Sequence, residues 1–88
     1  VSEIPFNNNS LEIYPNPTTE QLQLLFKDNF INKLAKVSLF DIMGRKITIT
    51  TFQTQTSSTI HLGNIANGIY FLEIEIDNQK VTRKIIKN

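Results

Sequence analysis

The sequence predicts an all-β domain: seven short strands in two packed antiparallel sheets. Three observations predict it. Apolar residues recur with period two over short runs, turn-forming residues separate those runs, and no stretch carries the 3.6-residue period of an amphipathic helix. A chain of 88 residues, 40% of them apolar, has material for one core and none to spare for a second domain.

The strands follow in order. Residues 1–10 hold a Pro and an Asn run and read as a linker. Leu11 to Tyr14 alternates as a first strand, and the turn residues Pro15, Asn16 and Pro17 stop it, since proline has no N–H to give a ladder. Gln21 to Phe26 sets Leu22, Leu24 and Phe26 on one face. Residues 27–34 read as a loop with a short helical turn, and Lys36 to Phe40 points Val37 and Leu39 inward.

Asp41 and Gly44 mark a turn: Asp bonds nearby backbone, and Gly accepts positive φ. Arg45 to Phe52 returns with Ile47 and Ile49 on one face and Thr48 and Thr50 on the other. Residues 53–58, only Gln, Thr and Ser, read as a solvated connection before Ser58 to Leu62. Ile69 to Asp77 is the longest strand, with Tyr70, Leu72, Ile74 and Ile76 on one face and Glu73 and Glu75 opposite. A turn at Asp77–Gln79 leads to the last strand, Lys80 to Lys87. Tyr70 follows a corner at the start of the second-last strand, the place of a tyrosine-corner hydroxyl, so the sandwich is expected to be immunoglobulin-like.

Composition excludes several functions. There is no Cys, so no disulfide, thiolate nucleophile or thiolate metal site, and a single His cannot build a His-based zinc site. No cofactor is implied. No apolar run reaches the roughly 18 residues of a membrane span, and no signal-peptide pattern follows Val1. The chain reads as part of a longer protein. His61, between Ile60 and Leu62, has no partner nominated for general-base work and reads as an outward strand residue. Glu73 and Glu75 read as a solvated face. Asn8-Asn9-Ser10 fits the N-glycosylation pattern, which is too short to argue from.

The net charge of +1 conceals an asymmetry. Residues 80–88 carry Lys80, Arg83, Lys84 and Lys87 without an acid, whereas residues 1–79 carry five basic and eight acidic residues. A nucleic-acid partner is not expected from a charge balance of this kind. The last strand reads either as an edge strand guarded by lysines or as a recognition segment open to strand addition. Its charges are expected to be exposed. Unprotected edges would also support a weak homodimer.

Three segments, in order and spacing, carry a family resemblance: Leu11 to Thr18, Val37 to Lys46, and Ile60 to Leu72, followed by Lys84-Ile85-Ile86-Lys87 at the end. The chain resembles the C-terminal sorting domain, type A, of the type IX (Por) secretion system of Bacteroidetes. Phe40 stands where the family usually has Tyr, which keeps the ring and loses the hydroxyl.

The resemblance implies a non-enzymatic signal domain at residues 11–88, joined to N-terminal cargo through a linker and cleavage region at residues 1–10. It implies as partners the type IX outer-membrane translocon, its shuttle proteins and a sortase-like signal peptidase. Cargo would pass through the periplasm and end secreted or on the cell surface. The translocon-recognition candidates are Gly68 and Tyr70 at the corner and Lys80, Val81, Thr82, Arg83, Lys84, Ile85, Ile86 and Lys87 in the last strand. The alternative reading is an accessory sandwich binding carbohydrate or a protein ligand beside an enzyme. For that role Phe6, Phe30, Phe40, Phe52 and Phe71 are the candidate exposed rings, and they do not share one strand.

Overall fold

A computed structural model describes residues 5–88 as two antiparallel sheets face to face. The strands are β1 (Leu11–Tyr14), β2 (Gln21–Phe26), β3 (Leu34–Asp41), β4 (Lys46–Gln53), β5 (Ser57–His61), β6 (Gly68–Ile76) and β7 (Gln79–Lys87). One sheet runs β1-β2-β5 and the other β4-β3-β6-β7. This is the all-β sandwich expected, with strand limits within two residues of those predicted.

Alternation builds the core. Leu22 and Leu24 of β2 meet Val37 and Leu39 of β3, Leu72, Ile74 and Ile76 of β6, and Val81 and Ile85 of β7, all buried. Each branched side chain removed from water contributes roughly 1.5–3 kcal/mol. The expected corner is present: the Tyr70 hydroxyl donates to the Ala66 carbonyl at 2.6 Å while its ring is buried.

The Asp41 turn is also as expected. Asp41 Oδ1 accepts from the backbone N–H groups of Met43 and Arg45, both at 2.9 Å, and Oδ2 accepts from Arg45 Nε at 3.0 Å. Gly44 supplies the required φ of +83°. The Arg45 N–H is the main cause holding the Asp41 carboxyl below the usual range, and the Arg45 guanidinium and the Met43 N–H act in the same direction.

Three features differ from the expectations. Phe6, offered as an exposed ring, is buried and stacks tilted on Phe30 at 5.0 Å between centroids, so Phe30 is buried too. Phe6 brings core packing into the residues read as linker, of which residues 1–4 lie outside those described. Within that segment Ser10 is buried as well, and its carbonyl accepts from Lys27 N–H at 2.9 Å.

Thr54, read as part of a solvated connection, is only 2% exposed. It pins the loop after β2, donating its hydroxyl to the Phe30 carbonyl at 2.5 Å and accepting from the Lys33 N–H at 2.9 Å. A hydroxyl matched to both a carbonyl and an N–H can be buried at little cost. Strand β4 has the two faces expected of it, and its apolar face is the outer one. Thr48, Thr50 and Phe52 pair with the inward residues Leu39, Val37 and Ala35, which places Ile47 and Ile49 on the outer face, 38% and 47% exposed.

Two predictions follow from these local bonds. Tyr70→Phe should lower unfolding stability by about 0.5–1.5 kcal/mol in denaturant titration, because the Ala66 carbonyl loses its donor. Asp41 should titrate below the ordinary carboxylate range by NMR. Its folded pKa is depressed, so its contribution is present above the unfolded pKa and lost as pH falls through the folded one. Asp41→Ala should therefore destabilise the domain at neutral pH and have a shrinking effect in acid.

Candidate recognition surface

Strand β7 divides its side chains by the pleat. Val81, Arg83, Ile85 and Lys87 share the inner side, and Lys80, Thr82, Lys84 and Ile86 the outer side. The four cations therefore do not form one patch. Arg83 reaches back across the N-terminal segment, with Nε on Asn8 Oδ1 at 2.9 Å and Nη2 on the Asn8 carbonyl at 2.6 Å. Lys87 is 9% exposed, and its Nζ lies 3.5 Å from Asn67 Oδ1. The expectation of exposed charge fails at Lys87, because period two aligns it with Val81 and Ile85 rather than with Lys84.

On the outer side Lys80 stands opposite Glu75, with its Nζ 3.9 Å from Glu73. Lys84 has no ion pair among the described residues and stands opposite Phe71. Phe71 in turn faces Phe40, and Phe40 faces Lys46, whose Nζ sits 5.7 Å from the Phe40 ring centroid. The outcome is a row across four strands: Lys46, Phe40, Phe71, Lys84. Ile69 and Ile86 pair beside it. Sequence reading missed this row because its members are distant along the chain and meet only through strand pairing. Phe71 is 36% exposed, and Phe40 is half-buried.

The free edge of β7 is closed at its C-terminal end. Asn16 bonds it as a peptide unit would, its Nδ2 donating to the Lys84 carbonyl at 2.9 Å and its Oδ1 accepting from the Ile86 N–H at 3.0 Å. Thr18 continues the pairing: its N–H donates to the Ile86 carbonyl and its carbonyl accepts from the Asn88 N–H, both at 2.8 Å. A side-chain amide carries both a donor and an acceptor, so it can take over where the flanking Pro15 and Pro17 have no N–H. Both X–Pro bonds here are cis. The segment read as a simple rigid turn is thus a clamp on the last strand.

The remaining sequence-nominated residues support this surface from below. Tyr70, Val81 and Ile85 are buried. Gly68 opens β6 at φ +155°, a conformation other residues rarely adopt. His61 is exposed, as expected of an outward strand residue.

Residues 12–88 match the family described as the secretion system C-terminal sorting domain. The chain belongs to that family, whose domains are the C-terminal sorting signals of type IX secretion. Export of an N-terminally joined cargo across the outer membrane follows from the membership. No curated protein matches the chain.

The clamp makes a prediction. Asn16→Ala should cost about 1–2 kcal/mol in unfolding stability, because two hydrogen bonds to β7 are lost. Lys84→Ala should leave the unfolding midpoint unchanged.

Proposed function

We propose that the type IX machinery reads this sorting domain through the outer face of its four-stranded sheet. The observation that carries the reading is the row Lys46, Phe40, Phe71, Lys84, with Lys80, Thr82 and Ile86 beside it on β7. Two rings offer a flat apolar platform, and the flanking lysines orient a partner segment that bears carboxylates on either side of an apolar centre. The translocon or its shuttle proteins would supply that segment while cargo is in transit through the periplasm.

On this reading the domain acts without catalysis and without a cofactor. Gly68, Tyr70, Val81, Ile85 and Lys87 hold the surface in shape. Arg83 fastens the N-terminal segment to β7. A sortase-like peptidase that separates cargo from an intact sandwich would cut before Phe6, since Phe6 is already part of the core. The freed cargo is then secreted or retained at the cell surface.

A reporter bearing an export signal and fused to residues 1–88 tests the reading in a type IX-competent host. The double variant Lys84→Glu with Phe71→Ser should remain folded and lose most export. Normal export of that folded variant would overturn the proposed surface. Lys87→Glu should instead lower stability by about 1–3 kcal/mol, since it buries an ill-matched charge beside Asn67; any export loss it causes reports folding.

A further inference from the structure

The edges of the two sheets are unequally protected. The C-terminal end of β7 is clamped by Asn16 and Thr18. The outer strands of the smaller sheet are short, β1 having four residues and β5 five. Strand β4 is an eight-residue edge with no described partner on its outer side. Its sequence, Lys46-Ile-Thr-Ile-Thr-Thr-Phe-Gln53, is rich in β-branched residues and holds neither Pro nor an acid. Lys46 and the register shift between Leu39 and Phe40 guard its start only. From Thr48 to Gln53 it carries none of the usual devices against edge pairing.

Just beyond β4, Thr54 N–H donates to the Lys33 carbonyl and the Thr54 carbonyl accepts from Asn32 N–H, both at 2.8 Å, so its groups point toward β3. Strand alternation then turns those of Phe52 and Thr50 toward β3 and those of Gln53, Thr51 and Ile49 off the sheet. Among the described residues the groups of the last three have no partner, so they present donors and acceptors in a row.

We infer that β4 pairs with β4 of a second copy of this chain, antiparallel about a two-fold axis at Thr50. That register sets Thr50 opposite its counterpart, Ile49 opposite Thr51, and Thr48 opposite Phe52. Ile49 and Thr51 then exchange main-chain hydrogen bonds twice over. Every side chain keeps its face, because residues paired this way have the same parity. Thr–Thr and β-branched pairs are favourable cross-strand neighbours. Lys46 of each copy falls beyond the opposing strand, opposite Thr54.

Self-complementarity is what selects a second copy as the occupant. A two-fold axis needs a strand that tolerates its own sequence reversed, and this one does over its whole unguarded length. The two four-stranded sheets become one eight-stranded sheet. The exposed Ile47 and Ile49 of both copies then form one stripe on its outer face, next to the aromatic rows. The inference is independent of how the translocon reads the domain.

Edge pairing alone buries less than the ~1,200 Å² of a stable complex, so the dimer is expected to be weak. Sedimentation equilibrium of the 88-residue chain, up to about 1 mM to reach millimolar-range association, should show a monomer–dimer equilibrium. Amides of Ile49 and Thr51 should gain hydrogen-exchange protection as concentration rises. Ile49→Pro removes an N–H that points off the sheet, so it should spare the β3 ladder and abolish dimerisation. Thr51→Lys should weaken dimerisation at least tenfold, and it carries the test if the proline variant does not fold. Thr82→Pro, on the unclamped part of the β7 edge, should leave dimerisation unchanged. A monomer throughout that range, or association that survives both β4 variants, would overturn the inference. Loss of association in Thr82→Pro alone would place the contact on β7 and overturn it equally.

Discussion

The pairing of Asn16 and Thr18 with the end of β7 is the constraint on which the rest of the molecule depends. The last strand is an edge strand, and without a partner its C-terminal residues would fray. Asn16 gives it one peptide-like bonding unit and Thr18 a second. The same contact fixes where β1 ends and β2 begins, because Thr18 also bonds the Gln21 carbonyl through its hydroxyl at 2.5 Å. Further along β7, Arg83 holds Asn8 and reaches the Leu11 carbonyl, and Phe6 enters the core nearby. The beginning and end of the described chain are therefore fastened to each other across the two sheets.

That constraint changes what a sorting signal of this kind can offer. At its clamped end β7 presents side chains, not main-chain groups. The outer face of the four-stranded sheet then becomes the accessible surface, and two of the four terminal cations are withdrawn from it. Lys80 is balanced by Glu73 and Glu75 across the strand. What remains distinctive is the aromatic pair between Lys46 and Lys84. Strand β4 is the edge without such a clamp among the described residues, and its outward isoleucines invert the ordinary polarity of a surface strand.

Much of the fold was legible because the signals were local. Period two marked every strand, and Tyr70 announced its corner from its place after residues 65–69. Asp41 and Gly44 specified a turn within five residues of chain. The misread features share a different character. Thr54 is buried because Phe30 and Lys33 come to meet it, and nothing in a run of Thr, Gln and Ser signals that. Phe6 looks like linker until Phe30 is placed beside it. The two faces of β4, by contrast, were legible from alternation, and only the pairing with β3 reveals which of them faces out. The basic cluster was visible as composition, and its division into inner and outer pairs was already implicit in the pleat. Lys87 could have been assigned inward from its parity with Ile85. The row from Lys46 to Lys84 could not, since it requires three strand registers at once.

Amide hydrogen exchange along β7 tests the clamp most directly. The N–H groups of Thr82, Lys84, Ile86 and Asn88 all point off the sheet, and among the described residues Ile86 and Asn88 alone of these have bonding partners, in Asn16 and Thr18. Slow exchange at Ile86 and Asn88, with fast exchange at Thr82 and Lys84, is the result the account requires. Uniformly fast exchange at all four would mean that the edge is open to its end, and strand addition at β7 would return as the means of recognition.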